Sequence, residues 1–167
     1  MYTLRCTKSL LERLGEPITS SEDPTPDPTT VLGDWYANLL NVGHRRLILC
    51  TNERSLLSLV VPARDLRGLP HRLAESVAAL LERIGVPPPI VAREVREMQW
   101  ARFDRTLSRK VLGSMNDFAI GAALFFRGND AADALEELDW ELNGTPCGPL
   151  KYAFPRERAK ELLLGAA

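Results

Sequence analysis

The stretch DWYANLLNVGHRRLILCTNERSLLSLVV, residues 34–61, decides which fold class the chain can adopt. It holds three apolar runs of strand length, separated by the short connections GH and NER: residues 34–42, 45–51 and 55–61. Connections of two or three residues with turn-forming side chains are typical of β-hairpins, so the stretch predicts an antiparallel β-meander. Residues 47–50 are apolar on both faces, which suits a central strand that helices cover on one side. A helix that begins with Asp34 as its cap is the alternative for the first run.

Further strands and helices are predicted on both sides of this meander, from apolar residues that repeat with a period of two or near 3.6. They are a strand at 1–7, a short helix at 8–15, helices at 69–84 and 90–98, a strand at 99–106, helices at 114–126 and 131–142, an edge strand at 150–154 and a helix at 155–164. This order lacks the βαβ alternation of dinucleotide-binding folds. It predicts an α+β fold, an antiparallel β-meander sheet packed against several helices, in a single domain over residues 1–167.

Residues 16–30, EPITSSEDPTPDPTT, form a low-complexity segment within this domain. Four prolines lie among small polar and acidic residues; each proline lacks the backbone donor and pushes the preceding residue into extended geometry. The segment is therefore predicted to be a proline-rich mobile loop inside the domain rather than a boundary between two domains.

Charge and cysteine content narrow the functional classes. With 21 basic and 22 acidic side chains the net charge is −1, so nucleic acid would have to be met by a local basic patch, and no membrane association is expected. The three cysteines and two histidines include no C-x-x-C pair, so neither a metal site nor a cofactor is predicted. Because no signal peptide or membrane-spanning segment is recognised, the expected location is the cytoplasm.

A candidate binding site lies in SRKVLGSMNDF, residues 108–118. Ser114 and Asp117 have the spacing of a capping box, which predicts a helix that begins at Ser114. Basic residues precede this start, and they are unfavourable beside the positive end of a helix unless an anion or carboxylate neutralises them. Capping alone and anion binding both stay open. The candidate residues for an anion or ligand are Arg105, Arg109, Lys110, Gly113, Ser114 and Asn116, with Asp34, Trp35, Asn38 and Asp117 as neighbours.

The sequence contains no recognised catalytic constellation. Residues 108–118 lack the glycine spacing and the terminal Lys-Ser/Thr pair of a P-loop, and Ser114 lacks the G-x-S-x-G frame of a nucleophile elbow. Neither histidine has a carboxylate at a spacing expected to orient it as a base. Cys147 has only Lys151 close in sequence to lower its pKa. The catalytic residues of any enzyme of this kind stay unknown.

Four blocks in this order, LRCTKSLLERLG, LGDWYANLL, SRKVLGSMNDF and NGTPCGPL, resemble a bacterial family described only as a domain of unknown function. The GDWYANL and VLGSMND blocks are the most specific part of the resemblance. Similar domains occur beside or fused to plasmid open reading frames of the pRiA4b type, which implies a mobile-element context. The third block of that family typically reads NRSVLGSMND; Arg109 is kept here, while Lys110 replaces a serine. The resemblance implies no catalytic residue.

Two functions from different classes follow from these observations. The leading hypothesis is a non-enzymatic cytosolic binding or accessory module for a protein or nucleic-acid partner, in a mobile-element or toxin–antitoxin and defence context. The alternative is a small enzyme acting on a nucleotide or phosphoester, with Asp34 or Asp117 as base or metal ligand and Arg109 stabilising charge. That alternative requires Asp34 and Arg109 to converge. A structural protein without a ligand is the third hypothesis, and the sequence leaves the oligomeric state open.

Overall fold

A five-stranded sheet forms the centre of the chain in the computed structural model, which describes residues 1–15, 24–128 and 134–167. Its strands are β1 (Tyr2–Cys6), β2 (Trp35–Val42), β3 (Arg45–Asn52), β4 (Ser58–Pro62) and β5 (Ala101–Arg105). Strands β2, β3 and β4 pair antiparallel with their sequence neighbours, so the predicted meander is confirmed. The first apolar run is β2, and the alternative of a helix capped by Asp34 is therefore wrong.

The sheet as a whole is mixed, with the strand order β4–β3–β2–β1–β5. Strand β1 lies between β2 and β5 and is parallel to both, with Cys6 opposite Ala37 on one side and opposite Arg105 on the other. The prediction of a purely antiparallel sheet is wrong for this half. The physical reason is that each parallel pair joins strands separated by a helical crossover, which leaves no hairpin signal in the sequence.

Six α-helices accompany the sheet within the described residues. They are α1 (Lys8–Leu14), α2 (Leu69–Ile84), α3 (Pro88–Glu97), α4 (Arg109–Gly128), α5 (Ala134–Asn143) and α6 (Pro155–Gly165). Helices α1 and α2 end at Gly15 and Gly85 in the left-handed region, with φ of 64° and 89°, as their sequences predict. Among the described residues, none of the helices is both long and apolar enough to cross a bilayer.

The helices cover both faces of the sheet, and each face has its own hydrophobic core. The first face, which carries Leu4, Trp35 and Ile48, packs against α1, α2, α3 and α6. The second face, which carries Tyr36 and Leu49, packs against α4 and α5. Strand β3 is thus covered on two sides, and the expectation of helices on one side of it is wrong. An α+β fold in a single domain is what the described residues form.

Three local predictions have different outcomes. Residues 150–154 form no edge strand but a single bridge between Cys147 and Ala153, because Lys151 and Tyr152 have φ of 56° and 64°, which breaks extended geometry. In the proline-rich segment, residues 16–23 lie outside the described residues, and 24–30 carry neither helix nor strand. The predicted start of the helix at 131–142 also lies outside the described residues, which resume at α5.

Candidate functional site

Two neighbouring parallel strands, β1 and β5, send the chain to opposite faces of the sheet. After β1 and Thr7 the chain enters α1, which packs on the first face. After β5 and residues 106–108 it enters α4, which packs on the second face. In open sheets with parallel strands, such a divergence leaves a crevice at the carboxyl ends of the strands, and ligands bind in it. The carboxyl ends of β1 and β5 are therefore the candidate site.

A cavity of about 580 Å³ occupies this crevice. Its lining comes from the end of β1, the first two turns of α1 and the end of β5: Cys6, Lys8, Leu11, Glu12, Gly15, Arg105 and Thr106. The volume lies in the range of roughly 300–1,000 Å³ that is usual for small-molecule sites. An apolar wall with a few charged groups at its mouth can hold an apolar body and orient one polar group.

The charged groups of the crevice are two cations and one carboxylate. Lys8 Nζ lies 3.9 Å from Glu12 Oε1 one turn along α1, and the two side chains are 92% and 66% exposed. Such a pair contributes little stability, because water screens it. The Arg105 side chain is exposed and forms no ion pair with any residue that the structure describes. An anion in the crevice would therefore meet two cations that no strong internal partner occupies.

The thiol of Cys6 forms part of the apolar wall. Burial raises its pKa to about 12, and Sγ lies 3.6 Å from the carbonyl oxygen of Leu4. A thiol with this pKa is neutral at physiological pH and is neither a nucleophile nor a metal ligand in that state. Cys6 therefore contributes packing to the crevice rather than chemistry.

A buried ion-pair network fixes the end of β5 from the second face. Arg5 Nη2 donates to Asp34 Oδ2 at 3.1 Å, while Nη1 lies 3.8 Å from Asp104 Oδ2 and 3.5 Å from the carbonyl oxygen of Arg105. Asp34 Oδ1 accepts from the amide of Thr3 at 2.8 Å. Both oxygens of Asp34 are thus engaged, and the network positions the backbone that presents Arg105 to the crevice.

Helix α4 begins at Arg109, and its cap is Ser108. Ser108 Oγ accepts from the amide of Val111 at 3.3 Å, and the Ser108 amide donates to Tyr36 Oη at 3.1 Å. The predicted start at Ser114 is wrong: this residue is buried in the second turn, where its Oγ donates to the carbonyl oxygen of Lys110 at 3.3 Å. The helix continues past Gly113 because Val111 and its neighbours along the same side are buried against the second face.

The structure places one of the predicted ligand-binding residues in the lining of the crevice. Arg105 lines it, and Arg109 and Lys110 are exposed in the first turn of α4, four residues further on. Asn38 lies beside the end of β1, where its Oδ1 accepts from Thr7 Oγ1 at 2.9 Å. Trp35, in contrast, is 0% exposed in the core of the first face and is not accessible to a ligand from solvent.

The remaining candidates lie within α4, away from its start. Gly113, Asn116 and Asp117 are exposed, and their amides belong to the interior of the helix, where they are used in its own hydrogen bonds. Ser114 and Asp117 line a separate groove of about 220 Å³ together with Cys147. Burial raises the pKa of the Cys147 thiol, and the charge of Asp117 raises it further, so this groove holds no thiolate nucleophile.

Two further expectations concern titratable groups. The statement that no carboxylate accompanies a histidine is wrong for His71, whose Nε2 lies 3.3 Å from Glu75 Oε1 one turn along α2. Both side chains are exposed, and neither lines the crevice. In the ranges 1–15, 24–128 and 134–167, no three His, Cys, Asp or Glu side chains gather as metal ligands would.

Sequence reasoning missed Lys8, Glu12 and Thr106. Their signal was the pair of strand-to-helix junctions, RCTKS at 5–9 and DRTLSRK at 104–110. Neither junction marks a site by itself. Only the parallel pairing of β1 with β5, across about a hundred residues of sequence, puts them side by side.

Comparison with known families identifies a model described as a domain of unknown function, DUF6933, which matches residues 3–158. The matched range includes every residue that lines the crevice. No curated protein and no solved structure matches the chain.

Proposed function

The chain belongs to the DUF6933 family of domains of unknown function, and we propose that it is a non-enzymatic binding module that holds the phosphate group of a nucleotide in the crevice at the carboxyl ends of β1 and β5. The nucleotide is either free or the 5′ end of a nucleic-acid strand, and the same chemistry recognises both. The observation that carries the proposal is the position of Lys8 and Arg105 at the mouth of this cavity.

The crevice suits a ligand with an anionic group and a flat or apolar body. Leu11 and the neutral Cys6 thiol provide an apolar wall, while Lys8 and Arg105 provide donors that match phosphate oxygens. Arg109 and Lys110 follow in the first turn of α4, which contains no acidic residue. Because the net charge of the chain is −1, the attraction for an anion would have to come from the local cations that line the crevice, Lys8 and Arg105.

Binding without catalysis is the simpler function for these groups. Asp34, the base or metal ligand of the enzymatic alternative, has both carboxylate oxygens engaged by Thr3 and Arg5. A small enzyme acting on a nucleotide or phosphoester remains the alternative, and no contact of the described residues favours it. The cytoplasmic location and the mobile-element or toxin–antitoxin and defence context are parts of the proposal that rest on the resemblance to domains found with pRiA4b-type reading frames.

The test is a binding titration by calorimetry with four probes: adenosine, AMP, a single-stranded DNA oligonucleotide with a 5′-phosphate, and the same oligonucleotide without it. We expect AMP or the phosphorylated oligonucleotide to bind and the phosphate-free probes to bind at least about tenfold more weakly. Lys8→Ala and Arg105→Ala should each weaken the phosphorylated probe by about tenfold or more. Arg127→Ala, which removes an exposed cation at the opposite end of α4, is the matched control.

Three outcomes would contradict the proposal. One is the absence of binding by both phosphorylated probes. Another is equal binding of the probes with and without phosphate, and the last is an affinity that Lys8→Ala and Arg105→Ala leave at the level of Arg127→Ala. The two phosphorylated probes also distinguish the two possible ligands. Tighter binding of AMP would indicate a free nucleotide, and tighter binding of the phosphorylated oligonucleotide would indicate the 5′ end of a nucleic-acid strand.

A further inference from the structure

The outer edge of β5 carries backbone groups that no described residue pairs. The amide of Tyr2 donates to the carbonyl oxygen of Trp100 at 3.2 Å, and Tyr2 lies opposite Ala101 in the parallel register. In this pattern the even-numbered residues of β5 bond to β1, so the N–H and C=O groups of Ala101 and Phe103 point away from the sheet, while the carbonyl oxygen of Arg105 already accepts from Arg5 Nη1 at 3.5 Å. Arg105 uses its amide locally, donating to Asp104 Oδ1 at 2.7 Å.

At the opposite edge of the sheet, side chains of α5 form hydrogen bonds with the outer backbone groups of β4. Asp139 Oδ1 of α5 accepts from the amide of Val60 at 2.8 Å. Asn143 of the same helix accepts from the amide of Ser58 at 2.8 Å and donates to its carbonyl oxygen at 2.6 Å. No described helix or loop does the same for β5, and an open edge is a template for another strand.

The sequence of β5, ARFDR, is complementary to itself when two copies run antiparallel about Phe103. Because the outward backbone groups belong to odd-numbered residues, Phe103 faces Phe103 of the second copy as a hydrogen-bonded pair. Ala101 faces Arg105, whose N–H and C=O already bond to Asp104 and Arg5 of its own chain. Arg102 then faces Asp104 of the second copy twice, in non-hydrogen-bonded pairs, where side chains approach most closely. Opposite charges in such positions attract.

Within the described chain, Arg102 has an unpartnered group at this edge, and Asp104 has one weakly engaged oxygen. Arg102 Nε is buried without a hydrogen-bond partner among the described residues, and Asp104 Oδ2 reaches only a 3.8 Å contact with Arg5. Trp100 and Leu107, just beyond the two ends of β5, are 76% and 70% exposed. In the antiparallel register each Trp100 lies opposite Thr106 of the second copy, just past the end of the paired strands.

We propose that the chain forms a two-fold symmetric dimer in which the β5 strands pair antiparallel, centred on Phe103, and join the two sheets into one of ten strands. The interface is self-complementary, as two-fold symmetry requires. Charged residues on an edge strand commonly keep edges apart, but here the signs alternate so that this register brings opposite charges together. The dimer follows from the strand edge and not from the proposed ligand, although Arg105 and Thr106 lie at both the crevice and the dimer interface.

The test is the molecular mass in solution, by sedimentation equilibrium over a dilution series. The wild-type chain should reach twice the monomer mass. R102E and D104R each bring like charges together in both pairs of the two-fold interface, and each should remain monomeric. Mixed in equal amounts, the two variants should form a heterodimer, because the acidic chain then meets the basic chain in both pairs.

Every other outcome overturns the proposal. A wild-type chain that is monomeric at all concentrations does so directly, and dimeric R102E and D104R would place the interface elsewhere. A mixture that stays monomeric, although both variants show the far-UV circular dichroism of the wild type, would overturn the register. If D104R fails to fold, W100S replaces it, since Trp100 is exposed; we expect W100S to weaken the dimer by at least about tenfold, and an unchanged dissociation constant would overturn the proposal.

Discussion

Arg5 is the residue on which the geometry of the crevice depends most. Its side chain is only 8% exposed, and its guanidinium connects Asp34 at the start of β2 with Asp104 and the carbonyl oxygen of Arg105 at the end of β5. Charges taken from water need this degree of pairing, because an unpaired buried charge costs several kcal/mol. The network therefore orders both neighbours of β1, and through Arg105 it orders the candidate site.

Arg5→Ala should lower the free energy of unfolding by about 3–5 kcal/mol, since it leaves the Asp34 carboxylate buried without its cation. The measurement is urea denaturation at neutral pH. Arg158→Ala is the control, because it breaks an exposed pair with Glu161 at 3.3 Å and should cost less than about 1 kcal/mol. Equal losses for the two variants would show that the buried pairing of Arg5 contributes no more stability than an exposed ion pair.

Asp139 gives a second prediction at the residue scale, through the dependence of stability on pH. Burial raises the pKa of its carboxyl well above the usual range, the hydrogen bond from the Val60 amide opposes this, and the charge of Glu136 adds to it. A pKa raised by folding means that the native state holds the proton to higher pH than the unfolded chain does. The stability from the protonated group is thus complete below the unfolded pKa and is lost as the pH rises through the native pKa.

Asp139→Asn keeps an oxygen that can accept from the Val60 amide but cannot ionise. We therefore expect the melting temperature of the variant, relative to that of the wild type, to increase as the pH rises from about 5 to about 8. Thermal unfolding followed by circular dichroism at each pH measures the difference. Glu141→Gln, which changes an exposed carboxyl of the same helix, is the control. A difference between Asp139→Asn and wild type that is constant with pH, or that falls, contradicts the assignment.

At the scale of the elements, the start of α4 shows where a local pattern can mislead. The spacing of Ser114 and Asp117 fits a capping box, yet the helix is already capped six residues earlier, at Ser108, and begins at Arg109. Judged from the sequence alone, either Ser108 or Ser114 could be the N-cap of the helix. The choice between them is made by Tyr36, whose hydroxyl oxygen accepts from the Ser108 amide and ties this end of the helix to β2.

The two serines therefore predict different stability changes. Ser108→Ala should lower the free energy of unfolding by about 1 kcal/mol, because it removes the acceptor of the Val111 amide at the helix start. Ser114→Ala should cost less than about 0.5 kcal/mol, since alanine is the better helix former at an interior position. Chemical denaturation of both variants measures the pair. The reverse order of losses would mean that the helix is capped at Ser114 in solution.

Local sequence signals predict individual strands and helices, but they do not predict which strands pair in parallel. The meander and the glycine-terminated helices follow from signals within a few residues, such as GH between β2 and β3 or Gly85 after α2. The sequence predicts β5 as a strand, but its partner lies about a hundred residues away and no local signal marks a parallel neighbour. Arg105 was consequently identified by its charge alone, while Lys8, in the same crevice, was missed.

At the scale of the whole molecule, one sheet joins two hydrophobic cores. Ile48 and Leu49 are adjacent in β3, and their side chains lie in the cores of the first and second face respectively. A strand that loses its partners on one face also loses the backbone order that the other face needs. The two layers should therefore unfold as one cooperative unit rather than in sequence.

Because the two cores share one sheet, a substitution that destabilises one core should destabilise the other as well. Leu49→Ala, in the core of the second face, should lower the free energy of unfolding by about 2–5 kcal/mol. The loss should be the same by circular dichroism and by tryptophan fluorescence, although Trp35, one of three tryptophans, is buried in the first face. Ile48→Ala is the matched variant for the first core, with coincident transitions again expected. If Leu49→Ala separates the two transitions, the layers unfold independently, and the coupling through the shared sheet is contradicted.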